Sequence, residues 1–409
     1  MAPLTGAADA PPQAARPAGL VRSEPASIAL RITAAAVAFR LLSALVAFIA
    51  HVVFPSYRPD QFTVFGRPSP FWDTFARYDS GWYYQIARYG YTAGPVHFVP
   101  GGRSSIAFFP LYPLLMRYVA QLLGPNPANF YLAGIIVSWI AFALAMVMLY
   151  KLARLDLPRH RAERAVLYAA IFPFAFFYGV VYSESVFLLF TVSSFYFFRT
   201  RRWALGGMCG ALATATRVTG IMMLPPLAWI AWRSARPERR DRIAALAAVA
   251  FVTAGIGAYS FYIYRLSGNP FEWAATITRW GYYPGGMPWV APLRLVRTLA
   301  THPYTYLTTD RLAPYDTLNG LSAIFFIAAT PFVWRRLGAG YALFIIANLW
   351  LPLSSGVFEG VGRYCAVLFP CFIWLATVRS RIVSGAVIVL FAVCYTLCLA
   401  LFTNIHPLF

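Results

Sequence analysis

Asp79 lies in the stretch RYDSGWYYQIARYGYTAGPVHFVPGGRSSIAFFPLYP, residues 77–113, where a single carboxylate sits among arginines, phenols and indoles. A lone carboxylate in such a setting is the type of group that accepts a proton from a reacting hydroxyl. Only 14 of the 409 residues are acidic, and an ionisable side chain near membrane depth is costly to keep without a purpose. Asp79 is therefore the first candidate for chemistry. The competing reading is a surface ion pair with Arg77 on an interfacial helix.

The composition describes the setting. Hydrophobic residues make up 60% of the chain and charged residues 12%, with a mean hydropathy of +0.60, against roughly 45–50% apolar and about 25% charged in soluble domains. These values describe an all-α polytopic membrane protein. The net charge of +20 does not point to nucleic acid, because the basic residues form short clusters between apolar runs, as cytoplasmic loops do. The five cysteines, Cys209, Cys365, Cys371, Cys394 and Cys398, fall inside apolar runs without zinc-type spacing, so they read as buried thiols.

Threading the apolar runs with basic clusters as cytoplasmic markers gives about eleven spans at roughly 20 residues each. Residues 1–27 read as a disordered cytoplasmic tail without a signal-peptide core, and 28–409 as one transmembrane domain. Span one covers 28–54. Residues 55–127 form a first outer loop, with 72–90 and 106–123 lying at the interface, and 128–150 form span two. Runs at 165–181, 184–198, 203–218, 220–233 and 243–265 follow. A second large outer loop covers 266–315, and 317–334, 338–353, 362–378 and 382–402 complete the set. This threading puts Asp79, Glu184, Arg217, Glu272, Arg279, His302, Asp310, Glu359 and Arg363 on one side of the membrane, where they could line one cavity. Asp156, Glu163, Glu238 and Asp241 fall instead among cytoplasmic arginines.

Four elements in order, RYDSGWYYQIARYGY, then FFPLYPLL, then YSESVFLLF ending at 190 and preceded by Pro173 and Phe177, then GGMCGALATATRVTG over 206–220, resemble the PIG-V family of GPI mannosyltransferase 2 and its prokaryotic relatives. The resemblance covers roughly 70–225; beyond it, the chain resembles the family mainly in hydropathy and in Gly362-Arg363-Tyr364. That family has tryptophan or a similar aromatic before the aspartate, where this chain has Tyr78. The resemblance implies a GT-C fold and an integral-membrane glycosyltransferase that takes its sugar, mannose in the family, from a polyprenyl-phosphate carrier. A lipid or glycan hydroxyl would accept it.

That chemistry asks for residues of the types found here. Asp79 would be the base of an inverting in-line displacement. Arginine matches phosphate geometry better than lysine, so Arg217 and Arg363, with Arg103 and Arg279 behind them, are candidates for holding the donor phosphate. Arg77, Tyr78, Trp82, Tyr182, Glu184, Glu359 and Tyr364 are candidates for positioning substrate. Each has a plainer reading. Glu184 could serve a helix N-terminus, Arg217 and Arg363 could snorkel to the interface, Glu359 could simply pair with Arg363, and His97 and His302 could face solvent. No Asp-x-Asp pair or phosphate-binding glycine loop is present, which disfavours nucleotide-sugar use and ATP-driven transport. No cofactor is expected and metal independence is favoured, although Asp79 and Glu184 could share an ion. A lipid-sugar flippase is the alternative, but it should show an internal repeat, and none is visible. Short loops and the lack of an ER-retention tail suggest a bacterial cytoplasmic membrane, with the site on its outer face.

Overall fold

The computed structural model describes residues 26–57, 71, 74–91, 104–124, 126–279, 286–304 and 314–408. Among these the chain is all-helical, with no strand. Five helical stretches among the described residues are long and apolar enough to cross a membrane: Ala26–Val53, Pro127–Arg154, Arg239–Ser267, Tyr315–Leu337 and Arg381–Thr403. The chain is an integral membrane protein.

The first span is α1 (Ala26–Val53), and the stretches expected at the interface hold α2 (Ser80–Tyr89) and α3 (Leu111–Leu123). At 13 residues and about 1.5 Å per residue, α3 is shorter than a straight membrane crossing needs. Helix α4 (Pro127–Arg154) opens with Asn126, whose side chain accepts from the Ala128 N–H, and Pro127 needs no hydrogen-bond partner at the first position. In its most apolar stretch α4 is 61% buried, against 22% for α1. Helix α4 is thus the central post, and α1 presents Leu41, Leu42 and Leu45 outwards.

The remaining apolar runs do not form single long helices. The 165–181 run splits into α5 (Arg159–Ile171) and a 3₁₀ turn, Pro173–Tyr178, because Pro173 has no N–H to continue the helix. Helix α6 (Glu184–Arg199) is followed by α7 (Trp203–Thr216), which stops where Arg217 turns extended (φ −151°, ψ 146°). A second 3₁₀ turn, Val218–Met223, leads into α8 (Leu224–Ser234), α9 (Arg239–Phe251) and α10 (Ala254–Ser267). Next come α11 (Glu272–Arg279), α12 (Val290–Thr301), α13 (Pro314–Leu337) and α14 (Ala339–Leu353). The 362–378 run is two short helices, α15 (Val361–Ala366) and α16 (Pro370–Leu375), and α17 (Arg381–Thr403) closes the chain. Hydropathy marks such a segment as apolar; the prolines and extended residues decide whether it crosses as one piece.

Two close approaches bring the distant segments together. Gly362 lies against the Phe174 ring, where an added Cβ would come within 2.4 Å, so α15 packs directly on the 173–178 turn. Tyr178 donates to the Ala366 carbonyl across the same contact. The 3₁₀ turn before Glu184 and the helix carrying Arg363 are thereby fixed against each other.

Candidate functional site

Asp79 sits on a strained turn. Tyr78 takes a left-handed backbone conformation (φ +51°), which costs a non-glycine residue roughly 1–2 kcal/mol, and its ring packs on Phe402 at 5.9 Å. The turn is held from behind. Arg77 is buried and donates through Nε and Nη2 to the Thr403 carbonyl at 3.2 and 3.0 Å. The Tyr182 hydroxyl accepts from the Asp79 N–H and donates to the Arg77 carbonyl, both at 3.3 Å. Ser80 Oγ donates to the Val181 carbonyl at 3.1 Å, and the Tyr83 and Ser183 hydroxyls are 2.9 Å apart. Burial pushes the Tyr83 phenol up in pKa, so it stays neutral. The Asp79 turn and the Tyr182-Ser183-Glu184 turn thus form one unit.

Glu184, the first residue of α6, is fully buried. It does not cap its own helix by the side chain. Its Oε1 pairs with Arg217 Nη1 and lies 3.4 Å from Arg363 Nε. Arg363 Nη1 in turn donates to Asp79 Oδ2 at 2.6 Å. Two carboxylates and two arginines form a chain in the order Asp79, Arg363, Glu184, Arg217. The guanidinium of Arg363 thus lies between Asp79 and Glu184. Tyr364 lies 5.0 Å from the Arg217 guanidinium, and Tyr182 lies 5.6 Å from that of Arg363.

This chain borders a cavity of about 640 Å³. Asp79, Arg217, Glu359, Arg363 and Tyr364 line it, with Tyr83, Thr216, Thr219 and Ser355. The opposite wall is apolar: Phe108 and Phe109, Trp273, Ala274 and Ile277 of α11, and Leu351 and Pro352 of α14. A polar end and an oily wall suit an amphipathic ligand.

The structure sorts the sequence candidates. Asp79, Arg217, Glu359, Arg363 and Tyr364 line the cavity; Glu184, Tyr182 and Arg77 stand behind the wall and hold those that do. Trp82 stacks on Phe108 at 5.9 Å, supporting the wall from outside. Arg279 pairs with Glu272 at 2.7 Å on α11 and is not a lining residue. His302 bonds Thr301 at an exposed helix end. Arg103, His97 and Asp310 lie outside the described residues. Snorkelling does not describe Arg217 and Arg363, whose side chains are only 11% exposed and engaged by carboxylates. Sequence reasoning passed over Tyr83, although it lies four residues after Asp79, where a helix puts side chains on one face. It also passed over Leu351 and Pro352 of α14 in the apolar wall, which no local pattern announces.

Among known families, dolichyl-phosphate-mannose-protein mannosyltransferase matches residues 108–259. The matched part holds Glu184 and Arg217 but not Asp79 or Arg363. It is a different family from the one that the sequence motifs resemble. No curated protein matches the chain by sequence. Among solved structures, the chain is similar to the Archaeoglobus fulgidus oligosaccharyltransferase complexed with Zn and sulfate, with a TM-score of 0.48 at 13% identity over 91% of this chain and 53% of that one. The apo form of that enzyme gives 0.46 at 10% identity, over 91% and 56%. Its complex with an inhibitory peptide and a dolichol-phosphate gives 0.45 at 10% identity, over 90% and 56%. The chain spans about half the length of these structures.

Proposed function

We propose that this protein is a membrane glycosyltransferase of the GT-C type that moves a sugar, mannose by preference, from a polyprenyl-phosphate donor to a hydroxyl of a lipid or glycan acceptor. The observation that carries the reading is the cavity itself: two carboxylates, Asp79 and Glu359, and two arginines, Arg217 and Arg363, face an aromatic and aliphatic wall. The matched family supports glycosyl transfer from a lipid-phosphate mannose.

In this reading Asp79 accepts the proton of the acceptor hydroxyl as its oxygen bonds to the anomeric carbon. The bond from that carbon to the phosphate oxygen breaks, and the lipid phosphate leaves with the electron pair. Arg217 and Arg363 neutralise the charge that gathers on it. Attack opposite the leaving group inverts the anomeric centre. Glu184 orients both arginines, and the prenyl chain lies along Phe108, Phe109 and α11.

The test is transfer of radiolabelled mannose from synthetic polyprenyl-phosphate mannose to extracted membrane acceptors by the purified protein, with Asp79→Asn in parallel. Transfer by the wild type alone is expected. Transfer at undiminished rate by Asp79→Asn would remove the base assignment, and no transfer by either protein, with other sugars tried, would favour a transporter of lipid-linked sugars.

A further inference from the structure

In the structure one oxygen of the Asp79 carboxylate is already engaged. Its Oδ2 is held by Arg363 Nη1 at 2.6 Å, so a hydroxyl arriving alone must compete with a charge-assisted hydrogen bond. The other end of Arg363 is less settled: Nε lies 3.4 Å from Glu184 Oε1, yet it is buried without a hydrogen bond. Glu184 Oε2 is likewise buried and without a partner. A planar guanidinium and a carboxylate can form a two-bond fork, and here both groups keep one half of that fork unused. The second seat for Arg363 is already built.

We infer that Arg363 has two positions and that the donor phosphate selects between them. This rests on the proposed function and adds an order of events to it. In the arrangement seen, the guanidinium holds Asp79 Oδ2 and competes for it with an acceptor hydroxyl. A phosphate entering the cavity brings negative charge to Arg363 and Arg217 and repels Asp79. Arg363 turns onto the phosphate and Glu184, and the Asp79 carboxylate is released. The acceptor then finds an open base only in the donor-loaded protein, so binding is ordered, donor first. Glu184 has no exposed surface and acts as the fixed pivot. A ligand shifts such an equilibrium only by its differential contact with the two positions, and the phosphate supplies that difference because it touches the arginine and not the aspartate.

The experiment measures exposure of the Asp79 carboxylate rather than turnover. Detergent-purified full-length protein is treated with a carbodiimide and glycine ethyl ester, and labelling of the Asp79 peptide is read by mass spectrometry. Farnesyl monophosphate serves as the probe, farnesol as its uncharged control, and equilibrium dialysis of radiolabelled farnesyl monophosphate measures binding independently. The expected result is a several-fold rise in Asp79 labelling with farnesyl monophosphate and none with farnesol. Arg363→Gln should show high labelling from the start, without a further rise. If farnesyl monophosphate binds and Asp79 labelling stays level or falls, the exchange is overturned while the donor reading survives. If it does not bind, the donor reading falls and the exchange falls with it. The wild-type arm decides the question even if Arg363→Gln does not fold.

Discussion

Two of the carboxylate and arginine groupings among the described residues read alike in residue type and differ in place. One joins Asp156 to Arg199 through two bonds of 2.8 and 2.9 Å, with Tyr341 accepting a third at 2.8 Å. The other joins Asp79, Glu184, Arg217 and Arg363 beside Tyr182 and Tyr364. In the first, every oxygen of the carboxylate is used by one arginine and no lining of the cavity is involved. In the second, Arg363 is shared, an oxygen of Glu184 is left over, and the group borders a 640 Å³ space. The first group satisfies its own hydrogen-bonding capacity; the second leaves part of it unused.

Substitutions can break or sharpen this contrast. Asp79→Asn should lower transfer by about 10³-fold, within the span attributed to general base catalysis, with the thermal unfolding of the detergent-purified protein little changed. Parallel losses of activity and folding would demote Asp79 to a structural partner of Arg363. Glu184→Gln leaves two arginines facing each other without their common anion. Removing one member of a buried pair costs about 3 kcal/mol, so both stability and donor affinity should fall, and Glu184→Asp should recover part of the affinity. A donor KM equal to that of the wild type would show that the arginines do not need their pivot.

Gly362→Ala tests the packing that joins α15 to the 173–178 turn. The new Cβ meets the Phe174 ring, and overpacking of this kind costs about 1–3 kcal/mol; a lowered unfolding temperature is expected, with activity reduced because Arg363 is displaced. An unchanged melting curve would mean that the contact is loose. The smallest effect belongs to the other cluster. Asp156→Asn should cost about 1 kcal/mol or less, since the pair is partly exposed, and transfer should stay at the wild-type level. A large loss of activity there would erase the distinction between the clusters.

Much of the site was legible before any coordinates. Asp79 stood out because a carboxylate in so oily a chain is rare, and Tyr182, Glu184 and Arg217 because of their order along the chain. Arg363 was readable as a candidate, but its partner was not. Asp79 and Arg363 are 284 residues apart, and nothing local tells whether Arg363 faces Glu359, four residues away, or the first loop. The threading into about eleven spans met the same limit. Helices α1, α4 and α17 follow hydropathy closely, but the runs near 173, 217 and 362 break into short pieces whose path depends on what they pack against.

The sequence by itself determined the solvent and the chemistry: a helical membrane protein, since backbone polar groups in lipid must be satisfied within the segment, and a scarce carboxylate set among arginines and aromatic rings. Only the tertiary structure decided which arginine meets which carboxylate, that Glu184 stands behind the wall and not in it, and that α11 and α14 supply the oily side. The physical reason is range. Hydrophobicity and backbone propensity act over a few neighbouring residues, whereas an ion pair forms wherever the packing of distant helices, here Gly362 on Phe174, brings its two ends within hydrogen-bond reach.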